Sequence, residues 1–343
     1  MSVLVVGGGK MGLSHLAILS RIGDHRSVSL CEPSRVMRYV YRRFNYRTFA
    51  NLDSALKSPI KWAGAVIATP TMSHYTIAKT LIERSIPCFI EKPLTLNPLQ
   101  SQELVNLREK TGAVAQLGLV TRFMAAFIKL RWIIESNALG APLSYEAKML
   151  GNVITKSANN GWRTVFSRGG GCLNEYGPHL IDLCRYFFGD VDKIDSATIQ
   201  RTFSCEADDS VDVAWIHSSG CTGHLALDWC DASKRKSSLT FEVKFERGTV
   251  RANNADVHID LVEGAIVPAD LKARLFSPVL PHPVSFYLRG EEYSLQLEVF
   301  LERISGRKIV LGDDLPHDTA ATLKDGLEVD KLINEIAMKV GLA

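Results

Sequence analysis

Two basic side chains in this sequence occur in settings that suit proton transfer and the stabilisation of negative charge. Lys92 precedes Pro93, which lacks a backbone N–H and restricts the residue before it to extended geometry. An ammonium held at a strand end can hydrogen-bond a hydroxyl oxygen and stabilise the alkoxide charge that develops on it. The alternative is a solvated lysine at a strand end, without a chemical role.

His179 is the second basic residue, and it lies between Glu175 and Asp182. A continuous helix would place these three side chains on one face, although Pro178 predicts a kink or a helix that begins near Gly177. His179 can accept a proton near neutral pH, as the oxidation of an alcohol requires, and a carboxylate can fix its tautomer. A half-buried helix with one hydrogen-bonded histidine and capping acids explains the segment equally well. We interpret Asp182 as structural, and a histidine–aspartate pair without a third ligand predicts no metal site.

Three glycines near the beginning of the sequence have the spacing of a phosphate-binding turn. Gly7, Gly9 and Gly12 form a G-x-G-x-x-G pattern between an apolar run and a helical pattern. The first glycine of such a turn allows the bend, the second lets a pyrophosphate approach the backbone, and the third lets the helix pack on the strand. The N–H groups of the first helical turn, which contains Lys10 and Met11, are predicted to bind the pyrophosphate.

An acidic residue follows the second apolar run, which extends from Ser27 to Cys31. This residue, Glu32, lies about 20 residues after Gly12, where a ribose-binding carboxylate is expected. A carboxylate there accepts hydrogen bonds from the ribose hydroxyls and repels a 2′-phosphate, so that the sequence favours NAD. Arg35 offers a phosphate partner and leaves NADP open. A Rossmann-like domain with an unused glycine turn is the alternative to nucleotide binding.

Special residues also follow two later apolar runs. The run from Ala63 to Ala68 ends in Thr69-Pro70, and the run from Pro87 to Ile90 ends in Glu91-Lys92-Pro93. Strands that alternate with helices form a doubly wound parallel sheet, in which ligands bind outside the carboxyl ends of the strands. We therefore predict an NAD(P)-binding Rossmann domain over residues 1–120. The predicted cofactor contacts from these loops are Thr69, Pro70, His74 and Glu91. For His74, capping of the next helix is the alternative.

The second half of the chain has a different pattern. Strand-like runs from about residue 190 onward are joined by short turns, which is typical of antiparallel hairpins. Residues 121–315 are therefore predicted to form an α+β domain with an open, mostly antiparallel sheet. One face of this sheet is expected to pack on helices and the other on a partner subunit. The polar residues 152–160 and a proline-rich, extended stretch over 264–290 are candidate linings of a substrate pocket.

The composition excludes several classes of protein. A chain of 343 residues with 46% hydrophobic and 22% charged residues is typical of a two-domain globular protein. A net charge of +3 gives no indication of nucleic-acid or membrane binding, and no apolar run is long enough to span a bilayer. Seven scattered cysteines, an odd number, predict free thiols in a reducing cytosol rather than a disulfide framework or a zinc site. The absence of a signal-peptide pattern also favours a cytoplasmic location.

The motifs taken together resemble the Gfo/Idh/MocA family, which is named for glucose–fructose oxidoreductase, inositol dehydrogenase and a rhizopine-catabolism protein. Residues 66–74 are similar to its V-I-A-T-P-x-x-x-H segment, residues 91–93 to its E-K-P, and residues 161–163 to its W-R. Residues 169–189 are similar to its G-G-G-x-L-x-D-x-G-x-H-x-x-D segment, with Glu175 in place of the usual Asp. The resemblance implies that Lys92 and His179 are the catalytic pair and that the last helix, over 316–343, packs on the cofactor domain. It also implies a homo-oligomer, a dimer or tetramer, assembled through the C-terminal-domain sheet.

The residues and the resemblance together predict an oxidoreductase that moves a hydride between NAD, or NADP, and a secondary alcohol or ketone of a sugar, cyclitol or sugar derivative. The predicted catalytic residues are Lys92, His179 and Glu175. The predicted substrate contacts are Lys92, Arg122, Arg163, Glu175 and His179. Three alternatives remain: a redox-neutral glycoside-cleaving enzyme, a reductase of a biosynthetic carbonyl intermediate, and a non-catalytic NAD-binding sensor.

Overall fold

The chain forms two compact units in the computed structural model, which describes residues 1–156, 161–310 and 315–342. The first unit contains Met1–Phe123 and His282–Asp330, and the second contains Met124–Pro281 and the chain from Lys331 onward. This division differs from the expected boundaries. Residues 282–310 were expected in the second domain, and the last helix was expected wholly on the first.

A six-stranded parallel sheet forms the centre of the first unit. Its strands are β1 (Ser2–Val6), β2 (Val28–Cys31), β3 (Arg47–Phe49), β4 (Trp62–Ile67), β5 (Cys88–Glu91) and β6 (Ala115–Gly118). They lie in the order β3-β2-β1-β4-β5-β6, and every neighbouring pair is parallel. This is the Rossmann order, in which successive strands are added on one side of β1 and then, from β4 onward, on the other side. Ligands bind at this change in strand order. The predicted doubly wound fold is confirmed.

Helices connect these strands and cover both faces of the sheet. They are α1 (Lys10–Ile22), α2 (Arg35–Arg43), α3 (Leu52–Leu56), α4 (His74–Glu83) and α5 (Pro98–Thr111). Local chemistry sets their ends: the Asn97 side chain accepts the Leu99 N–H at the start of α5, and Gly112 ends that helix with a φ of +67°. The strands are buried almost without interruption because helices lie on both sides.

The second unit is built on a seven-stranded sheet. Its strands are β7 (Pro142–Leu150), β8 (Val191–Gln200), β9 (Ser210–His217), β10 (Thr222–Asp228), β11 (Ser238–Phe245), β12 (Gly248–Asn253) and β13 (Val257–Leu261). They lie in the order β13-β12-β11-β7-β10-β9-β8, and only the β7–β10 pair is parallel. Residues alternate between buried and more exposed along β9 and β11, so that one face of the sheet is apolar. The predicted open, mostly antiparallel sheet is confirmed.

Helices of the second unit pack on that apolar face. They are α6 (Ala125–Glu135), α7 (Cys172–Glu175) and α8 (Gly177–Phe188), whereas α9 (Ala269–Leu275) lies beside α6, with Arg274 over the Trp132 ring. Aromatic rings dominate the interface: Phe127 on α6 and Phe187 on α8 both pack against Phe241 of β11, and Phe188 stacks on Tyr145 of β7. The helix carrying His179 is therefore held by its apolar face.

The last two helices, α10 (Glu291–Ser305) and α11 (Leu323–Lys339), account for the unexpected boundary. Leu297 and Phe300 of α10 join the cluster that contains Val3 and Val5 of β1, so that this segment returns to the first unit. The beginning of α11 contributes Leu323 and Leu327 to the core on the other side of the Rossmann sheet, and from Lys331 onward the helix belongs to the second unit.

Two stretches named from the sequence have different outcomes. The proline-rich stretch 264–290 was expected to be extended, but it contains α9, because Pro268 begins that helix and Leu275 is buried at its end. Residues 157–160 of the polar stretch 152–160 lie outside the described residues. None of the helices in the described parts of the chain is both long and apolar enough to cross a membrane.

Candidate active site

The glycine turn after β1 has the geometry that its spacing predicts. Gly7 has a φ of +103°, and a Cβ on it would lie 2.5 Å from the Ala68 carbonyl oxygen. A Cβ on Gly12 would overlap the Gly7 carbonyl oxygen, so that only glycine lets α1 approach β1 this closely. A Cβ on Gly9 would meet nothing within 4 Å, which leaves open space above the turn. The three glycines therefore differ in role: two allow the backbone to pack, and the third faces the open side.

The start of α1 fits the pyrophosphate of a dinucleotide. Gly9 is the N-cap residue and gives no side-chain hydrogen bond to the helix, so that no side chain caps the first-turn N–H groups, to which Lys10 and Met11 belong. These donors and the positive end of the helix dipole suit an anion. Lys10 is exposed and Met11 is half-buried, so that neither side chain closes the turn.

Glu32 is fixed beside this turn at the end of β2. Its Oε2 accepts the Gly8 N–H at 2.8 Å, and its Oε1 accepts the Ser34 N–H at 2.8 Å. Each carboxylate oxygen has two lone pairs, so that each can accept one further hydrogen bond, as ribose hydroxyls would require. Arg38 donates to the carbonyl oxygens of Glu32 and Pro33, both at 2.7 Å, and is bound to the backbone. Arg35, at the first position of α2, is exposed.

The loop after β4 contains Thr69, Pro70 and His74. Thr69 is half-buried and accepts a hydrogen bond from Ser73 Oγ at 2.8 Å, and Pro70 is exposed. His74 was predicted to contact the cofactor or to cap a helix, but its ring is 1% exposed and both nitrogens lie 2.9 Å from carbonyl oxygens, those of Thr69 and Pro93. Burial lowers the pKa of His74, against the two carbonyl groups and the Glu91 charge, which raise it. His74 therefore connects the loops after β4 and β5.

Glu91 and Lys92 lie at the end of β5. The Glu91 side chain is 13% exposed, and its Oε1 lies 2.5 Å from Nε2 of His15, a fully buried residue of α1. Burial acts to raise the pKa of Glu91, but the His15 hydrogen bond and the Lys92 charge outweigh it, so that the pKa is lowered and the carboxylate is ionised. Lys92 is half-buried. From the sequence, His15 is expected to be a packing or surface residue of α1, and its place one turn after Gly12 was the available signal for a role near the site.

The second set of predicted catalytic residues lies in the second unit, on two successive helical segments. Glu175 ends α7, and α8 begins at Gly177 with Pro178 in its first turn, so that one continuous helix does not form. The His179 N–H donates to the Tyr176 carbonyl oxygen at 3.1 Å across this junction. Both Glu175 and His179 are half-buried. The structure thus supports the interpretation in which the second helix starts at Gly177.

A buried carboxyl group that the sequence did not indicate holds the beginning of α7. Asp208 Oδ2 accepts the Leu173 N–H at 2.7 Å, and the Asp208 carbonyl oxygen accepts the Cys172 N–H at 3.0 Å. Burial raises the pKa of Asp208 to about 6. Gly171 has a φ of +94°, and a Cβ there would overlap Asp208 Oδ1. The glycine turn before α7 therefore has a packing reason as well as a conformational one.

The two arginines predicted to bind substrate have different surroundings. Arg122 is 3% exposed and forms an ion pair with Asp325 at 3.1 Å within the first unit. This ion pair gives Arg122 a structural role in the first unit. A contact between Arg122 and the substrate stays a prediction. Arg163 is exposed and lies over the Trp162 ring, 4.7 Å from its centroid. Within the described residues, no group of three His, Cys, Asp or Glu side chains is placed to hold a metal ion.

Two family models match this sequence. Residues 1–119 match the oxidoreductase family with an NAD-binding Rossmann fold, and residues 127–251 match the GFO/IDH/MocA C-terminal domain. The chain belongs to the GFO/IDH/MocA oxidoreductase family. The resemblance inferred from the motifs is confirmed, and NAD is the cofactor that the family's first domain binds.

Two relatives and one solved structure are similar to this chain at low sequence identity. An oxidoreductase of Formosa agariphila is 28% identical over 198 residues, which are 54% of this chain and 61% of that protein. D-apiose dehydrogenase of Paraburkholderia graminis is 23% identical over 263 residues, 75% of this chain and 68% of that protein. A structure of levoglucosan dehydrogenase in complex with NADH has a TM-score of 0.79 at 18% identity, and the match covers 99% of this chain and 97% of that one. This last similarity concerns the fold alone.

Proposed function

We propose that this protein is an NAD-dependent oxidoreductase that interconverts a secondary alcohol and a ketone on a sugar, a cyclitol or a related polyol. The observation that carries the proposal is the arrangement at the Rossmann switch point. The open glycine turn, the anchored Glu32 and Lys92 follow β1, β2 and β5, so that all three lie at the carboxyl ends of strands of one parallel sheet. The name of the D-apiose relative supports a sugar-like substrate.

The side chains have separable roles in this proposal. NAD, when bound, would supply the acceptor for the hydride of the carbinol carbon, and NADH would supply the donor in the reverse direction. Lys92 donates a hydrogen bond to the reacting oxygen and stabilises the negative charge that develops there. His179 accepts the hydroxyl proton during oxidation and returns it during reduction. Glu175 orients the substrate or His179, with its carboxylate one methylene further from the backbone than an aspartate would place it.

The surroundings of Glu32 favour NAD over NADP. Both carboxylate oxygens are held by backbone N–H groups, so that the negative charge stays at the place where a 2′-phosphate would lie. The neighbouring Arg38 is bound to two backbone carbonyl groups. We propose that Arg35 faces solvent beside the adenosine and that NADP binds more weakly.

We also propose assembly as a dimer or tetramer through the exposed face of the seven-stranded sheet, and a cytoplasmic location. The exposed face carries cross-strand charge pairs, including His224 with Asp212 at 2.6 Å and Arg251 with Glu242 at 2.9 Å. Paired charges on a sheet face satisfy one another when a second copy covers them, and sedimentation velocity of the purified protein tests the assembly.

The test of the activity is a titration of the purified protein with NAD, NADH, NADP and NADPH, followed by a panel of sugars and cyclitols with absorbance at the reduced-nicotinamide band. Binding of NADH with a substrate-dependent change in absorbance is the expected result. The variants Lys92→Met and His179→Asn should retain NADH binding and lose turnover by a factor of about 100 or more. Full turnover in both variants would refute the assignment of these residues.

The alternatives give different results in the same experiment. A redox-neutral glycoside-cleaving enzyme would release product without net NADH, and a reductase of a pathway intermediate would leave free sugars unchanged. A sensor would bind NAD without a change in its redox state for any substrate. Absence of nucleotide binding would remove the basis of the proposal at the glycine turn.

A further inference from the structure

We infer that two buried histidines, His15 and His74, are positioning residues for Lys92, because each holds one of the residues on either side of it. His15 binds the side chain of Glu91, and His74 contacts the carbonyl oxygen of Pro93. The inference deepens the proposed function and rests on it only where Lys92 is said to act on the substrate oxygen.

Lys92 needs such support because the sheet does not hold it. The β5–β6 ladder pairs Glu91 with Gly118 as its last residues, so that Lys92 is the first residue beyond the strand. Pro93 has no N–H with which to extend the ladder. The path of the backbone at Lys92, from which its side chain starts, therefore depends on how the residues before and after it are fixed.

His15 fixes the residue before Lys92. It lies on α1, the helix of the glycine turn, with no solvent exposure, and its Nε2 is 2.5 Å from Glu91 Oε1. An ionised carboxylate only accepts, so that Nε2 carries the proton and donates it to a charged acceptor, which makes a strong hydrogen bond. The ring also packs edge-on against Phe89 of β5, with centroids 5.4 Å apart. His15 thus ties the end of β5 to the pyrophosphate-binding helix through two contacts.

His74 fixes the residue after Lys92. Its Nδ1 lies 2.9 Å from the Pro93 carbonyl oxygen, and its Nε2 lies 2.9 Å from the Thr69 carbonyl oxygen, across 19 and 5 residues of sequence. A neutral imidazole has one N–H, so that it donates to one carbonyl group at a time, and the protonated ring donates to both. In either form the ring is held between the ends of β4 and β5. A displacement of His74 therefore moves the backbone on the far side of Lys92.

Both histidines are buried for a reason that packing alone does not explain. An apolar residue would fill either site without the cost of burying a polar ring, whereas these rings bind a carboxylate and two carbonyl groups at the edge of the predicted cofactor site. Misplacement of a reacting group by about 1 Å can reduce turnover by a factor of about 100. The arrangement holds Lys92 from two directions against such movement.

The experiment compares donor-retaining and donor-removing variants. His15→Gln keeps a donor near the Nε2 position and His74→Asn keeps one near Nδ1, whereas His15→Leu and His74→Leu remove them. His217→Gln is the matched control, because His217 is equally buried in the second unit with both ring nitrogens bonded, to Tyr145 Oη at 2.7 Å and the Gly189 carbonyl oxygen at 2.8 Å. The first measurement is the rate of acetylation of Lys92 by acetic anhydride, by peptide mass spectrometry, with exposed Lys57 as the internal reference.

We expect both leucine variants to raise the relative acetylation rate of Lys92 about threefold or more by local loosening. The Gln and Asn variants should stay closer to wild type than the matching Leu variants, and His217→Gln should change nothing at Lys92. In turnover, kcat should fall by a factor of about 10 to 100 in the leucine variants, with an NADH dissociation constant within about twofold of wild type. Where His15→Leu does not fold, Glu91→Gln, which weakens the acceptor for His15, takes its place in the acetylation measurement, with the same expected increase at Lys92.

Three results would overturn the inference: unchanged Lys92 acetylation in both leucine variants, no rescue by the donor-retaining variants, or an equal effect of His217→Gln. Failure of the proposed function is a separate outcome, because the labelling measurement needs neither cofactor nor substrate. If the wild-type protein binds no NADH but the variants show the expected labelling pattern, the positioning inference is supported and the proposed activity is refuted.

Discussion

Asp330 of α11 is a buried carboxyl group whose protonation changes on folding, and the size of this effect can be estimated. Its Oδ2 accepts the Thr95 N–H at 3.0 Å and the Ser101 hydroxyl at 2.6 Å, which ties α11 to the segment that follows Lys92. Burial raises the pKa of Asp330 from 3.8 to about 7, although both hydrogen bonds act to lower it.

The sign of the pH dependence follows from this direction. Because the pKa is higher in the folded state, the unfolded chain releases the Asp330 proton from about pH 4 upward, while the folded chain retains it to about pH 7. The contribution to stability is therefore complete below about pH 4 and is lost as the pH rises through 7. At about 1.4 kcal/mol per pKa unit, the loss is about 4 kcal/mol, a large part of a typical folding free energy.

The perturbation is Asp330→Asn, which keeps an acceptor for Thr95 and Ser101 and does not titrate. Relative to that of the wild type, the free energy of unfolding of the variant should increase by about 2 to 3 kcal/mol between pH 5 and pH 8, because only the wild type loses stability over this range. Urea unfolding of both proteins, followed by circular dichroism at four pH values, gives this difference. A difference that stays constant across the range would refute the assignment of a raised pKa.

Asp325, on the same helix, is a control of opposite sign. Burial acts to raise its pKa, but the Arg122 charge and the Thr322 hydrogen bonds outweigh it, so that the pKa is lowered. Its contribution to stability is therefore present at neutral pH and is lost as the pH falls through its folded-state pKa. Asp325→Asn should destabilise the protein at pH 7 and have progressively less effect as the medium becomes acidic.

Three further predictions concern the predicted site. Gly12→Ala places a methyl group against the Gly7 carbonyl oxygen. The variant should lose about 1 to 3 kcal/mol or more of folding stability, measured by thermal melting, and should not bind NADH, measured by nucleotide fluorescence. Wild-type affinity for NADH would contradict the packing argument. Glu32→Gln removes the charge that opposes a 2′-phosphate and should reduce the preference for NAD over NADP by a factor of about 10, measured as the ratio of the two dissociation constants. An unchanged ratio would mean that another residue sets the cofactor selectivity. Asp208→Ala leaves the Leu173 N–H without its acceptor and should reduce folding stability by about 1 to 3 kcal/mol, whereas Asp208→Asn should reduce it much less. Equal decreases in the melting temperature of the two variants would show that this hydrogen bond does not stabilise the fold.

The sequence predicts the three candidate catalytic residues, Lys92, His179 and Glu175, but it does not indicate the contacts that hold their segments. The pairing of His15 with Glu91 spans 76 residues, that of Leu173 with Asp208 spans 35, and that of Thr95 with Asp330 spans 235. No local pattern marks such partners, because only packing of the whole unit brings them together. Arg122 shows the same limit, since its pairing with Asp325 gives it a role in the fold that its prediction as a substrate contact did not indicate.

The sequence by itself determined the features that depend on backbone geometry within a few residues. Glycine spacing predicts the turn at Gly7 because its φ of +103° suits glycine. Apolar runs that end in polar or proline residues predict parallel strands, because those strands are buried on both faces and bind ligands at their carboxyl ends. Pro178 indicates a helix start near Gly177, because proline is tolerated only in the first turn.

Only the tertiary structure decided which unit each late segment joins and which buried polar groups meet. Residues 282–310 return to the first unit because Leu297 and Phe300 bury their side chains beside Val3 and Val5, a preference for a particular apolar surface that hydrophobic periodicity does not specify. The protonation of Asp330 likewise depends on burial, which is a property of the folded chain. Local conformational preferences are encoded over a few residues, whereas burial and pairing depend on groups that the sequence places far apart.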